Sequence, residues 1–347
     1  MESVPLQFGH SRSDTPAIVR FLDEQLRPEA GFSVRDEFPA VFGDYPGGQS
    51  LYVESQGRVV SHVAYLTRVF RHPLFHFKVG LIGSVVTSEA FRGHGIASSL
   101  LREALLQLKN NGCLFAVLWA ENSEFYRPLG FERAGWEQSL RFAASEIADA
   151  DLNETVVAFD PRVHTEGIWR LYRQHSLTVD RSLQEFKRLC RIPNTRIFVT
   201  ENHDSVSSYI VIHKGLDFEN YIHEWGGKLE QVRANIARVQ RQVFPDRELT
   251  LIAPGQYDLK CLRPMALESS TGVLGMVKLL DRPRLRAVYL DYLKATGAKL
   301  WMGEEWGGDG RSLPTKTDAE FMRAVLGHAG ETPHPVLPFF LWGLDSI

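Results

Sequence analysis

The sequence predicts an α/β (α+β) chain: a mixed, mostly antiparallel sheet flanked by helices, repeated in tandem, with a short C-terminal extension. Three observations predict it. Residues 80–101 read as strand, glycine loop and helix. Three runs of β-branched and alternating residues joined by short turns lead into that stretch, the third running into its strand. From Thr155 the same order of patterns begins again.

Residues 4–8 read as a first strand. Residues 15–26 form a helix with Ile18, Phe21, Leu22 and Leu26 on one side. Residues 38–49 hold Gly43, Pro46, Gly47 and Gly48 and read as a loop. Residues 51–54, 59–71 and 77–87 are three antiparallel strands, with Gln56-Gly57 and His72-Pro73-Leu74 as the turns. Ser88 to Phe91 turns the chain. Arg92-Gly93-His94-Gly95-Ile96-Ala97 then opens a helix whose apolar residues Ile96, Leu100, Ala104 and Leu108 recur every four positions, flanked by Ala97, Leu101 and Leu105. It ends near Gly112. A strand at 113–119, a short helix at 121–127 and a last strand at 131–142 complete the first unit.

The polar, alanine-rich stretch 143–153 marks a boundary, giving units of residues 1–145 and 150–272. The second carries strands at 156–159, 197–201, 207–213, 221–225 and 249–252. Its Gly226-Gly227-Lys228 leads into a helix with Leu229, Val232, Ile236, Val239 and Val243 on one face. This loop has no arginine and no spaced glycines, so a plain strand-to-helix turn is expected there ahead of the alternative, an anion site, and a structural role for the second unit. Residues 273–347 are the third piece. Residues 273–280 read as a strand, Pro283 sits in the first turn of a helix reaching 295, and Thr317 with Glu320 has capping-box spacing. The final run from Leu337 to Ile347 is too apolar to stay in water and is expected to dock.

Bulk properties narrow the function. Hydrophobic residues make up 44% and charged residues 23%, and the net charge of −3 gives no reason to expect nucleic acid or an anionic membrane as a partner. Cys113, Cys190 and Cys261 lack metal spacing and read as reduced core thiols, so no metal site is expected. No secretory or membrane-spanning segment is legible, which makes the cytoplasm the expected compartment.

The glycine loop carries the chemistry. Glycines admit positive φ and close approach of a ligand, and a helix start offers unpaired N–H groups at the positive end of its dipole. An anion such as a pyrophosphate suits that site, with Arg92 adding charge. Taken alone, the loop is equally a helix-start turn.

The motif Arg92-x-x-Gly95-x-Ala97 resembles the acyl-CoA loop of the GNAT superfamily of N-acyltransferases, R/Q-x-x-G-x-G/A. A second motif from Asn122 through Tyr126 to Gly130-Phe131 resembles that family's Asn-to-Tyr helix and following strand. The three-part plan is similar to the two-copy enhanced-intracellular-survival acetyltransferases, in which a sterol-carrier-like domain ends the chain. With about 70 residues available, the third piece is here either a reduced version or an extension of the second unit.

The resemblance implies an acetyl-CoA-dependent N-acetyltransferase acting on a primary amine of a small molecule or peptide. It places the pantetheine along Val85, Val86 and Thr87 and the pyrophosphate on the amides of Arg92, Gly93, His94, Gly95, Ile96 and Ala97. Tyr126 becomes the general acid, the other reading being a core aromatic beside Phe125. Asn122 either caps its helix or touches the cofactor. The strand glutamate that many relatives use as general base is absent from 81–87, and Glu89 is expected to face solvent. In the two-copy relatives the free C-terminal carboxylate serves in the active site, which points to Ile347. The alternative for Ile347 is a tail that only fills a groove, and the alternative for the whole chain is a non-catalytic acyl-CoA sensor or scaffold. Glu121, Glu124, Glu304, Glu305 and Asp309, and Trp301, Trp306 and Trp342, are weaker candidates for an acceptor mouth. The oligomeric state is not legible.

Overall fold

The structure, a computed structural model, describes residues 6–12, 15–43, 47–146, 155–202, 205–296, 317–327 and 336–347. The strands of the first half are β1 Leu6–Arg12, β2 Gly48–Ser55, β3 Arg58–His72, β4 Phe75–Thr87, β5 Cys113–Leu118, β6 Glu132–Ala134 and β7 Glu137–Phe142. Those of the remainder are β8 Val156–Ala158, β9 Thr178–Val179, β10 Arg196–Asn202, β11 Ser205–Ile212, β12 Tyr221–Gly227, β13 Leu249–Pro254, β14 Glu268–Gly272 and β15 Gly275–Leu279.

Among the described residues these strands form two sheets. The first runs β1-β2-β3-β4-β5-β15-β6, with β9 added to the end of β3; the second runs β14-β7-β13-β12-β11-β10-β8. Each sheet is antiparallel except at one seam. β4 and β5 are parallel across the helix Ile96–Asn110, and β12 and β13 are parallel across the helix Leu229–Gln242. A strand, crossover helix and parallel strand in the same relative place is the repeated unit, and the fold is α/β with GNAT-like halves in tandem.

Two sequence expectations need correction. The strand expected at 131–142 is broken at Gly135 (φ +88°), where a side chain would meet Leu274 Cβ at 2.6 Å. β6 stays in the first sheet and β7 crosses into the second, between β13 and β14. In return the strand expected at 273–280 enters the first sheet as β15, between β5 and β6. The two sheets therefore exchange strands, because the sharp turn at Gly135 leaves β6 too short to line β5 and β15 fills the gap. The second correction concerns the loop at 38–49. Pro39–Phe42 is a buried helical turn and Gly48 already begins β2, while residues 44–46 lie outside the described part.

The helix Ile96–Asn110 covers one face of the first sheet through Ile96, Leu100, Leu101, Ala104, Leu105 and Leu108. It comes close because Gly80 has no side chain, and a Cβ there would meet Leu108 Cδ1 at 2.5 Å. The opposite face shares one apolar core with the second half and the tail. Phe339 packs on Phe70 and Phe115 at ring distances of 5.0 and 4.9 Å, and Val336, Leu337, Phe340, Leu341, Trp342 and Leu344 are buried. Among the described residues no helix is long and apolar enough to cross a membrane.

Candidate active site

The site begins where β4 and β5 part. Their parallel pairing ends at Leu81 and Val117, so among the described residues the β4 backbone from Ile82 onward has no strand partner on that side. A bulge turns it further. Against β3 the pairing steps from His62–Val86 to Ala64–Gly83, one residue extra on β4, and Ser84 takes the left-handed φ of +48°. His62 holds the bulge from beneath. Its Nδ1 lies 2.9 Å from the Ser84 carbonyl, which can only accept, so Nδ1 carries the proton and Nε2 accepts from Ser50 Oγ at 2.7 Å. Complete burial lowers the His62 pKa to about 4, against the opposing pull of the Ser84 carbonyl, so the ring is neutral at physiological pH.

The glycine loop faces the same opening. Gly93 and Gly95 have φ of +79° and +74°, which explains the glycines, and no atom lies within 4 Å of where their side chains would be. Gly95 is the N-cap of Ile96–Asn110 without a side-chain cap, so the amides of Ile96, Ala97 and Ser98 point outward with no intrahelical acceptor. Arg92 Nε donates to the Thr87 carbonyl at 3.0 Å, which fixes the guanidinium beside the loop. The His94 ring folds back on the Arg92 carbonyl at 2.9 Å and braces the turn. The corresponding loop of the second half is built differently. A side chain at Gly226 would strike Tyr209 at 2.6 Å and one at Gly227 the Ser207 carbonyl at 2.3 Å, so that turn is closed by its own neighbours.

A cleft of about 1230 Å³ joins these parts. It is lined by Val85, Val86, Thr87, Arg92, Gly93, Gly95, Ile96 and Ala97 on one side and by Trp119, Glu121, Asn122 and Tyr126 on the other. Tyr126 is 9% exposed, between Phe125 and Phe131, and burial raises its pKa, so the phenol is protonated at neutral pH. Asn122 occupies the N-cap position of Ser123–Tyr126 but its side chain makes no cap hydrogen bond, and it faces the cleft instead. Glu124 pairs with Arg127, and Glu89 is exposed and outside the cleft. Trp342 is buried against His175, while Glu304, Glu305, Asp309, Trp301 and Trp306 lie outside the described residues.

The C-terminus reaches this region on a buried ionic frame. Arg181 donates through Nε and Nη2 to both oxygens of Asp345 at 2.8 and 2.6 Å, and through Nη1 and Nη2 to Glu224 at 2.9 and 2.6 Å. Tyr172 donates to Asp345 at 2.9 Å, and Arg68 bridges Asp345 to Glu185. Burial alone would raise the Asp345 carboxyl, but Arg181, with Arg68 and the Tyr172 hydroxyl, outweighs it and holds the pKa below the usual range. Lys214 Nζ donates to the Ser346 carbonyl at 2.7 Å and to its hydroxyl at 2.6 Å. The next residue, Ile347, brings its main-chain carbonyl against Gly83 in β4. It also lines a second pocket of about 450 Å³ that shares Trp119 and Asp217 with the cleft.

Sequence reasoning missed His62, Gly83 and Glu137, a half-buried acid in that second pocket. A serine breaking an otherwise apolar, β-branched strand was the one local sign of the bulge. Nothing local marks Gly83 or Glu137, whose partners come from distant parts of the chain.

The comparisons with known proteins match this geometry. Residues 16–134 match the profile of the acetyltransferase (GNAT) domain. That stretch is similar to GNAT acetyltransferase domains. It contains the bulged strand, the glycine loop and Tyr126, while β15 completes its sheet from outside the matched residues. Three solved structures share the fold of most of the chain. They are GCN5-related N-acetyltransferases from Kribbella flavida (16% identity, TM-score 0.60, 82% of this chain and 74% of that one) and Anabaena variabilis (16%, 0.60, 80% and 74%), and Eis1 from Mycobacterium abscessus (16%, 0.54, 82% and 75%). At these identities the likeness is one of fold. A sequence search of curated proteins finds no match for the chain.

Proposed function

We propose that the chain is an acetyl-CoA-dependent N-acetyltransferase that moves an acetyl group to a primary amine of a small molecule or peptide. The observation that carries this reading is the β4 edge beyond Leu81, which among the described residues has no strand partner on its β5 side and opens onto one cleft together with the outward amides of the glycine loop and the Tyr126 phenol. Coenzyme A fits these features: an anion cradle without side chains, an open strand edge, and a cleft long enough to join them.

Bound acetyl-CoA supplies a thioester whose carbonyl carbon the amine attacks. The amides of residues 93 to 98 and the Arg92 guanidinium hold the diphosphate. Backbone groups of Val85, Val86 and Thr87 pair with the pantetheine as an added strand, and an N–H there stabilises the charge growing on the carbonyl oxygen. Asn122 adds a polar contact on the opposite wall. As the N–C bond forms and the C–S bond breaks, the Ile347 carboxylate takes a proton from the amine nitrogen and Tyr126 donates one toward the departing sulfur. The phenol has the higher pKa of that last pair, so its share is a hydrogen bond to the developing thiolate with proton transfer late. Three free cysteines fit a reducing compartment, and we place the reaction in the cytoplasm.

Tyr126→Phe tests the reading. Thiol release from acetyl-CoA with a panel of primary amines is expected to fall by about 10²- to 10⁴-fold, with acetyl-CoA affinity within twofold of the parent. An unchanged rate removes Tyr126 from the mechanism. Parent protein that binds acetyl-CoA and releases no thiol with any amine is instead a sensor or scaffold.

A further inference from the structure

We propose that the pocket beside the C-terminus takes a single primary amine carried on a flat apolar body, an arylalkylamine, and that Glu137 is the counter-ion that seats its ammonium group. The inference rests on the acetyltransferase reading for its placement, since the pocket meets the proposed acetyl-CoA cleft at Trp119 and Asp217.

The walls select the body. Trp119, Phe218, Tyr221 and Phe340 offer aromatic surface and Ile252 and Leu274 aliphatic surface, in about 450 Å³. That space holds a one- or two-ring amine, and aromatic faces favour both a ring and an adjacent cation. A second ammonium on a longer chain would find Asp217 already paired with Arg27, and a polyhydroxylated amine would set its hydroxyls against the aromatic walls without partners.

The charges select the head group. The ionisable groups around the pocket are Glu137, Asp217, Tyr221 and the Ile347 carboxyl, and among the described residues no lysine, arginine or histidine lines it. Asp217 is already engaged, accepting from Arg27 Nη2 at 2.8 Å. Glu137 is not: among the described residues its side chain has no hydrogen bond or ion pair. It stands opposite Gly272 in the β7–β14 pairing, and its Oε1 lies 3.5 Å from where a Cβ of residue 272 would be. Burial raises its pKa to about 7. A carboxyl held in a largely apolar pocket without a cation gains most from a ligand that brings one. Two acids then divide the work: Glu137 seats the ammonium, which loses one proton to solvent before attack, and the Ile347 carboxylate takes the second as the N–C bond forms.

Calorimetric titration in the presence of coenzyme A tests this with phenethylamine and tryptamine against n-butylamine, putrescine and spermidine. The aromatic amines are expected to bind at least about tenfold tighter than the others, with affinity rising between pH 6 and 8 as Glu137 ionises. In Glu137→Gln that affinity falls about tenfold and the pH dependence flattens. Tyr221→Ala, at a partly exposed wall, weakens the aromatic amines alone, and acetyl-CoA affinity serves as the folding control in both variants. Equal or tighter binding of putrescine or spermidine, or a Glu137→Gln protein with parental amine affinity and pH profile, overturns the proposal. Thiol release on the same amines separates the two readings. Turnover confined to polyamines sinks the pocket assignment and leaves the acetyltransferase, whereas Glu137-dependent binding without turnover supports the pocket and sinks the acetyltransferase.

Discussion

Gly83 and Ile347 touch across 264 residues of chain: a methyl group on Gly83 would lie 2.8 Å from the terminal carbonyl oxygen of Ile347 and 2.9 Å from its carbon. Only a residue without a side chain lets the end of the chain reach the β4 backbone here. Gly83→Ala is expected to displace the carboxylate and lower kcat about 10²- to 10⁴-fold, the range general acid–base catalysis contributes, while acetyl-CoA affinity changes little. Deleting Ile347 is expected to do the same. Steady-state kinetics beside acetyl-CoA titration checks both, and parental kcat in the deletion leaves the tail a purely structural part.

The frame that carries Ile347 is ionic and dry. Asp345→Asn leaves Arg181 buried with half its counter-charge, and a broken buried pair costs about 3–5 kcal/mol. The pKa of Asp345 is depressed in the folded state, so its contribution is fully present above the unfolded value near 4 and fades only as the pH falls below it. Urea unfolding at pH 7 is therefore expected to show the loss in full, and the gap between parent and variant narrows toward pH 3. A gap independent of pH would assign the loss to packing.

Burial lowers the pKa of His62 and His175 to about 4 and that of His223 to about 3 in the folded state. For a histidine shifted down, stability is full above the unfolded value near 6.5 and falls as the pH drops toward the folded value, by up to about 3 kcal/mol for a shift of this size. Stability is thus expected to fall steeply between pH 6.5 and 4. His62→Gln should soften that slope and, by loosening the bulge at Ser84, weaken acetyl-CoA binding about tenfold. Unfolding curves across this pH range and cofactor titration at pH 7.5 test the two effects separately.

Gly95→Ala separates conformation from crowding. A Cβ there meets nothing, so the cost arises from φ of +74°, on the order of 1 kcal/mol. The methyl projects where the diphosphate is expected. Acetyl-CoA affinity should therefore fall by about tenfold or more while unfolding shifts only slightly; parental affinity would move the anion site off this loop.

Much of the GNAT-like domain was legible from local pattern. The spacing of Arg92, Gly95 and Ala97, the apolar face of Ile96–Asn110 and the Asn122–Tyr126 segment are short-range features; in the described structure the two motifs line one cleft and the helix buries its apolar face on the first sheet. The segment 131–142 was misread for a physical reason. A strand keeps its alternation whichever sheet it joins, so the switch at Gly135 left only one glycine as a trace.

The sequence by itself determined the strand–loop–helix unit, its repetition and an apolar tail too costly to leave in water, because each follows from periodicity, φ preference or hydrophobicity within a few neighbouring residues. Only the tertiary structure decided which sheet β7 and β15 join, that His62 props the bulge at Ser84, and that Glu137 shares a pocket with Ile347. Those outcomes depend on contacts between residues far apart in the chain, where the gain lies in filling a particular space or pairing a particular charge, and no local pattern encodes either.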